Sequence, residues 1–427
     1  MNRRNTAARL AAWVAAGALI SQAPVWAKEL DEGTVINKDN VESLLNDTFE
    51  GHPISELVPD SMRLWMREAA LEVRLAHAQP TPLPPKLAEA TAQNRGKAQY
   101  HPDTKTVSDY VAGIPFPDVD VKDPNAGMKM LWNWELSGLV YQDIMEITAP
   151  TLVVSMDKGL ERTLYAEGIT VKMQGRTSIP PVTLDPAINK RQILVFTKPY
   201  DIAGIGTMLV RYTDPNKPDD AWVYVKSVRR LRRLTGGSWM DPIANLDQLY
   251  DDYFALDSNP GWYRGAKVLG KQYLLGVAHG LKPETPHKSE ERIHITGQPP
   301  FCSPLGQPWE PREVYKIEIE LPDTHPYSRK VLYMDAQIPL FYLAEAWDRK
   351  GEFWKVVYMM YSRQGEQQDG QTGGVQISGN GGIDFQRRHC NYVDTDFYRN
   401  NNPNIRPQDV DENLLRKGGT GGSILSK

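Results

Sequence analysis

From about residue 150 to residue 393 apolar side chains recur at every second position, and this alternation restricts the chain more than any other feature. It is cleanest over Glu313–Leu321. Tyr315, Ile317, Ile319 and Leu321 fall on one side there, and Lys316, Glu318 and Glu320 on the other. Successive residues of a strand point to opposite faces, so this is a strand with one dry and one wet side. Thr163–Arg176, Arg191–Thr197, Gly206–Tyr212, Ala221–Lys226, Arg329–Asp335, Ile338–Trp347, Glu352–Tyr361 and Ile383–Val393 continue the series, mostly separated by Pro, Gly, Asp or Asn. No helical pattern intervenes, which predicts antiparallel meandering pairs and not βαβ units. A large sheet with one dry face must cover it, by curling into a barrel or half-barrel or by packing helices on it. The fold class expected is mainly β (α+β).

The N-terminus reads differently. Arg3, Arg4 and Arg9 precede the apolar stretch Leu10–Ile20, and Val25-Trp26-Ala27 puts small residues at the two positions a signal peptidase reads. Residues 1–27 therefore read as a signal peptide cleaved after Ala27, and the mature chain as periplasmic. Asn5-Thr6-Ala7 fits the twin-arginine motif poorly, which favours the general export route, and no cysteine stands at the cleavage point to carry a lipid. Residues 28–110 read as a helical arm with a proline-rich connector. Asp39-Asn40 is placed to cap a short helix with Val41, Leu44 and Leu45 on one side. A second helix is predicted from Pro59-Asp60-Ser61 to about His77, with Met62, Trp65, Ala69 and Val73 facing a core. The run Pro80–Pro85 ends it. Residues 111–400 form the predicted β domain. Residues 401–427 read as a loop followed by a disordered glycine-rich tail over Gly418–Ser426.

The net charge of −4 drops to −7 once the three leader arginines are removed. A mildly acidic protein is a poor general binder of nucleic acid. Cys302 and Cys390 are the two cysteines, and in an oxidising compartment a lone pair forms one disulfide; two buried thiols are the alternative.

No catalytic constellation stands out. G-x-S-x-G, H-E-x-x-H, a Walker loop and a strand-borne G-x-G-x-x-G are all missing, so no catalytic residue, metal or cofactor is expected. The scattered histidines, His294 and His389 among them, read as surface or hydrogen-bonded residues. Asp247 and Asp251-Asp252 lack the twelve-residue calcium spacing and read as a solvated loop.

Two features exceed background. Arg229, Arg230, Arg232 and Arg233 concentrate positive charge after the aromatic strand Trp222–Val225. Guanidinium forks bind carboxylates and phosphates, which predicts a site for an anionic head group; a strand paired with acidic neighbours is the alternative. The second feature is aromatic density, since large rings line apolar pockets as well as cores. The candidate ligand-binding residues are Trp132, Trp134, Trp222, Tyr224, Arg230, Arg232, Phe341, Trp354 and Tyr358.

Several short motifs resemble a known family. They are Asp109–Pro117 with Asp123–Gly127 and Trp132-Asn133, then Trp222-x-Tyr224 with its arginines, Gly270-Lys271, and Tyr327–Val331. Together they resemble the proteobacterial outer-membrane lipoprotein-sorting-like family, catalogued as domain of unknown function 1329. The resemblance implies a fold of the LolA/LolB type, a strongly curved antiparallel sheet or half-barrel with helices in its concave side and an apolar cavity. It also implies an inner-membrane transporter of the resistance-nodulation-division class and an outer-membrane protein as partners, with peripheral membrane contact allowed. The leading expectation is thus a non-enzymatic carrier of a hydrophobic, anionic, lipid-like molecule. An adaptor of a transporter complex without a small ligand is the alternative, and a periplasmic hydrolase the third.

Overall fold

The computed structural model describes residues 27–138, 142–234, 238–243, 246–280, 299, 301–363, 374–395 and 397–425. The predicted signal peptide, Ala27 apart, lies outside the described residues, and so does His294.

The alternating region folds as expected into a large curved antiparallel sheet. Its strands are β1 (Val35–Ile36), β2 (Val73–Leu75), β3 (Ile144–Ser155), β4 (Gly159–Lys172), β5 (Ile188–Lys198), β6 (Gly206–Tyr212), β7 (Asp220–Val225), β8 (Arg230–Leu234), β9 (Gly265–Gly276), β10 (Pro308–Glu320), β11 (Arg329–Asp335), β12 (Phe341–Trp347), β13 (Phe353–Arg363), β14 (Val375–Asp384), β15 (His389–Asp394) and β16 (Phe397–Asn400). Four helices recur below: α1 (Asp60–Ala69), α2 (Pro85–Asn94), α3 (Ala126–Ser137) and α4 (Glu412–Gly419).

Two meanders make the sheet. One runs β3 to β8 and the other β9 to β15, each strand antiparallel to the next. They join where β15 pairs with β3. This order puts β8 at one edge and β9 near the other. The chain between them, residues 238–264, therefore has to travel across the sheet from edge to edge. It does so largely buried, with Leu249, Phe254, Ala255 and Leu256 in the main apolar core.

The sequence expectation needs three corrections. The second helix of the arm ends at Ala69, because Ala70 turns into the left-handed conformation (φ 55°) and its N–H bonds to Trp65 O. Val73, buried as predicted, sits in β2, which runs parallel to the start of β10. The run Ile383–Val393 is two strands, β14 and β15, joined by a turn over residues 385–388. Gly418 and Gly419 of the predicted disordered tail belong to the last turn of α4, which is capped by Asp411, whose carboxylate accepts from the N–H groups of Asn413 and Leu414. Leu415 and Ile424 are buried against Val195 and Tyr224. Among the described residues no helix is long and apolar enough to cross a membrane.

Candidate functional site

The crossing segment is fixed to the sheet by buried acids. Asp251 and Asp252 are fully buried, and the ammonium of Lys330 on β11 stands 2.9 Å from Asp251 Oδ2 and from Asp252 Oδ1. Tyr327 donates its hydroxyl to Asp252 (2.5 Å), Tyr263 donates to Asp251, and His325 Nε2 lies 3.4 Å from Asp251 Oδ2. Burial alone would raise the Asp251 carboxyl. Lys330, with His325 and Tyr263, outweighs that and holds it below the usual carboxylate range. Upstream, Asp247 pairs with His389 on β15 and, at 2.8 Å, with Arg387. The solvated acidic loop expected from the sequence is thus corrected: these acids are buried because their cationic partners come from strands far along the chain.

Downstream, Asp257 belongs to a second cluster. Lys190 Nζ lies 2.7 Å from Asp257 Oδ1 and 3.3 Å from Glu135 Oε2 of α3. Arg211 donates from Nε and Nη2 to Asp219 Oδ2 at 3.1 and 2.9 Å, and its Nη1 is 3.5 Å from Glu135 Oε1. Burial opposes the charge on Arg211, but the carboxylates of Asp219, Glu135 and Asp257 outweigh it and hold the guanidinium charged. Burial raises the Asp219 carboxyl against the pull of Arg211.

The motifs of the resemblance build this framework. Asn133 exchanges two 2.8 Å hydrogen bonds with the backbone of Phe116, and Tyr110 donates to Leu136 O at 2.8 Å. These three bonds seat α3, which carries Glu135 into the second cluster. Lys172 on β4 donates to the carbonyls of Leu136 and Ser137 at the C-terminal end of α3, and its burial lowers its pKa to about 8.

Between the crossing segment and strands β3–β8 lies a cavity of about 290 Å³. The sheet contributes Met145, Ile147, Leu194, Leu209, Ala221 and Leu234, and the crossing segment contributes Trp239, Ile243, Tyr250, Tyr253 and Trp262. Arg211, Asp219, Asp257 and Ser258 bring polar atoms to the wall, and Arg211 also stacks 5.5 Å from the Trp262 ring centre. This volume is at the lower end of small-molecule pockets.

The register shows which candidates face this cavity. Leu234 pairs with Ala221 and Arg232 with Val223, which itself pairs with Thr207, another wall residue. Directly paired residues share a face. Arg230 and Arg232 therefore stand, exposed, on the cavity face at the outer edge strand. Trp222 and Tyr224 alternate onto the opposite face, where α4 covers them. The rings expected inside with these arginines are on the other side of the sheet.

The remaining aromatic candidates fill the other half of the interior. Tyr358 packs 4.6 Å from Trp65 of α1, and Trp134 lies 5.2 Å from Phe341 and donates to Leu256 O at 2.7 Å. Trp354 lies edge-on to Tyr327, and Trp132 is buried on α3. Sequence reasoning missed the wall residues Trp239, Tyr250, Tyr253 and Trp262. The signal available was their clustering, together with five aspartates, in one stretch without strand alternation.

Cys302 and Cys390 form a disulfide, as expected, with Cα atoms 6.2 Å apart. It joins β15 to the loop that accepts the Trp65 indole N–H at Cys302 O, 2.9 Å away.

A family model described as protein of unknown function (DUF1329) matches residues 35–413. The chain belongs to the DUF1329 family. Solved structures similar to this DUF1329 protein include a candidate outer membrane lipoprotein-sorting protein domain from Vibrio parahaemolyticus, 14% identical, with 69% of this chain and 100% of that one covered and a TM-score of 0.46. A DUF1329 family protein from Desulfovibrio piger is 17% identical over 64% of this chain and 92% of that one, with a TM-score of 0.43. A LolA superfamily protein from Nitrosomonas europaea is 12% identical over 67% of this chain and 98% of that one, with a TM-score of 0.40. Comparison of this DUF1329 chain with curated proteins returns no match.

Proposed function

We propose that this protein is a non-enzymatic carrier of a single-bodied hydrophobic amphiphile, held between the crossing segment and strands β3–β8. One observation carries the reading: the cavity of about 290 Å³ is walled mainly by aliphatic and aromatic side chains from both elements. Shielding apolar surface there is worth roughly 25 cal/mol per Å². The volume suits one acyl chain or one small ring system and not a two-chain lipid. Arg230 and Arg232, exposed on the cavity face, are placed to meet an anionic head group. In this reading the carrier works in the periplasm after loss of residues 1–27. It passes its cargo between an inner-membrane transporter of the resistance-nodulation-division class and an outer-membrane protein, with peripheral membrane contact at most.

Titration of the purified protein with a fluorescent fatty acid tests the reading. Leu209→Trp, which fills the cavity from the sheet side, should weaken binding by at least about tenfold, one decade per 1.4 kcal/mol. Undiminished binding in a folded variant would place the ligand elsewhere. The adaptor reading has its own support in the filled half of the interior, where Trp65, Tyr358, Trp134 and Phe341 pack on one another. It predicts no probe binding by the wild type.

A further inference from the structure

Cations and uncovered apolar side chains gather at one end of the sheet, outside the cavity. Gly206 pairs with Val195 on one side and with Tyr224 on the other, so the β5–β6 turn (residues 199–205) and the β7–β8 turn (residues 226–229) stand side by side. Lys226 ties them together. Its ammonium donates to Tyr200 O at 3.2 Å and lies 4.4 Å from the Tyr200 ring centre. Tyr200 is nevertheless 87% exposed, and Val228 on the second turn is 46% exposed. Around them the charge has one sign. Residues 197–204 and 226–230 hold Lys198, Lys226, Arg229 and Arg230 against a single acid, Asp201, in a chain of net charge −4. Arg162 pairs with that acid. Among the described residues no carboxylate pairs with Lys226 or Arg229.

Behind the two turns lies a groove of about 630 Å³, between the turn over residues 418–423 and the ends of β4, β5 and β7. Lys226 and Arg229 line it, and its one carboxylate is Glu167. Glu167 is already engaged, by the Ser423 hydroxyl at 2.9 and 3.0 Å and by the Ile424 N–H at 2.8 Å. The C-terminal end of α4 also points here, and free carbonyls there would oppose an anion. They are taken up instead: Thr420 N–H bonds to Arg416 O, Gly421 N–H to Gly418 O and Gly422 N–H to Lys417 O. The groove is left with two cations that lack a counter-charge.

We propose that this end of the sheet docks the protein on an anionic lipid surface, with Tyr200 and Val228 in the headgroup layer and a lipid phosphate in the groove against Lys226 and Arg229. A ring with a polar rim favours the bilayer–water boundary, and lysine and arginine beside it are drawn to anionic lipid. A protein partner needs a broad complementary face, which two protruding turns do not supply, whereas a fluid headgroup layer needs none. The docked orientation would bring Arg230, next in the chain to Arg229, and with it the arginine rim of the cavity, to the bilayer. The proposal rests on the turns and the groove, and stands whether or not the cavity carries a cargo.

Sedimentation of protein purified from the periplasm with two kinds of vesicle tests it, one of phosphatidylcholine alone and one of phosphatidylcholine with phosphatidylglycerol. At low salt the protein should bind the phosphatidylglycerol vesicles about tenfold more tightly or better, and added salt should erase the difference. Lys226→Gln/Arg229→Gln should lose the preference. Tyr200→Ser/Val228→Ser should weaken binding to the phosphatidylglycerol vesicles several-fold. Neither double variant touches the cavity wall, so both should titrate with a fluorescent fatty acid as the wild type does, which also shows that they fold. A wild type that binds neither vesicle, or both equally, would overturn the proposal and leave these turns to a protein partner. A folded Lys226→Gln/Arg229→Gln variant that keeps the full preference, or a folded Tyr200→Ser/Val228→Ser variant that binds undiminished, would overturn it as well.

Discussion

Lys330 and Asp251 form an ion pair at 2.9 Å in which both side chains are wholly removed from solvent, and it fixes the crossing segment onto β11. Removing one partner of such a pair strands the other charge. Lys330→Met should therefore destabilise the fold by about 3–5 kcal/mol in urea unfolding. Because Asp251 is held below its usual range when folded, its contribution is present above about pH 4 and is lost as the pH falls toward the folded value. The stability gap between wild type and Lys330→Met should accordingly narrow on acidification below about pH 4. A gap that stays constant would assign the loss to packing.

The Asp247–His389 pair has the opposite sign. The hydrogen bond to Asp247 raises the His389 pKa despite partial burial. A raised folded value means that the stabilisation is complete below about pH 6.5, the unfolded value, and is lost as the pH rises through the folded one. Melting temperature followed upward from pH 6 should fall in the wild type and stay flatter in His389→Gln. Parallel curves would show that the pair does not titrate in this window.

Cys302 and Cys390 close a loop of 88 residues. In the chain-entropy model that is worth about 4–5 kcal/mol. The Cys302→Ala/Cys390→Ala double variant should lose stability on this scale in urea, and a reductant should then have no further effect on it. A variant as stable as the oxidised wild type would show that the bridge adds nothing.

The alternation that announced the strands was legible because one face of each is wet or differently packed, as in Tyr315–Leu321. It faded in β14, where glycines replace side chains. A Cβ at Gly381 would stand 2.5 Å from the Tyr358 hydroxyl, so the glycine is a packing requirement that hides the strand from the pattern. The tail misled in the same way. A Cβ at Gly419 would stand 2.2 Å from the Tyr224 ring, so the residue that looked like disorder is what lets α4 approach the sheet. The acids of the crossing segment could not be placed from sequence, because Asp252 and its partners Tyr327 and Lys330 are 75 and 78 residues apart. Of the aromatic candidates, Trp222 and Tyr224 lie on the face away from the cavity, and ring density does not separate a filled half from a hollow one. The topology does that, by packing Trp65 of α1 against Tyr358 of β13 and laying the crossing segment over β3–β8.

Arg230 and Arg232 share the cavity face and are solvent-exposed, and the proposed carrier function gives them a role toward the ligand more than toward the fold. Replacing both by glutamine should weaken binding of a fluorescent fatty acid by about tenfold or more, from charge-assisted contacts of about 1.5–3 kcal/mol each when shielded. The melting temperature should move little. Normal binding with earlier unfolding would make them structural partners of β7 and no more.

The central claim is that the cavity between the crossing segment and β3–β8 holds an apolar cargo. Mass spectrometry of organic extracts from protein purified out of the periplasm tests it most directly, with Leu209→Trp prepared alongside. The wild type should release a single-chain or single-ring amphiphile close to one molecule per chain, and the filled variant should release little of it. A folded wild type that yields no apolar molecule, or a variant that yields as much as the wild type, would contradict the account.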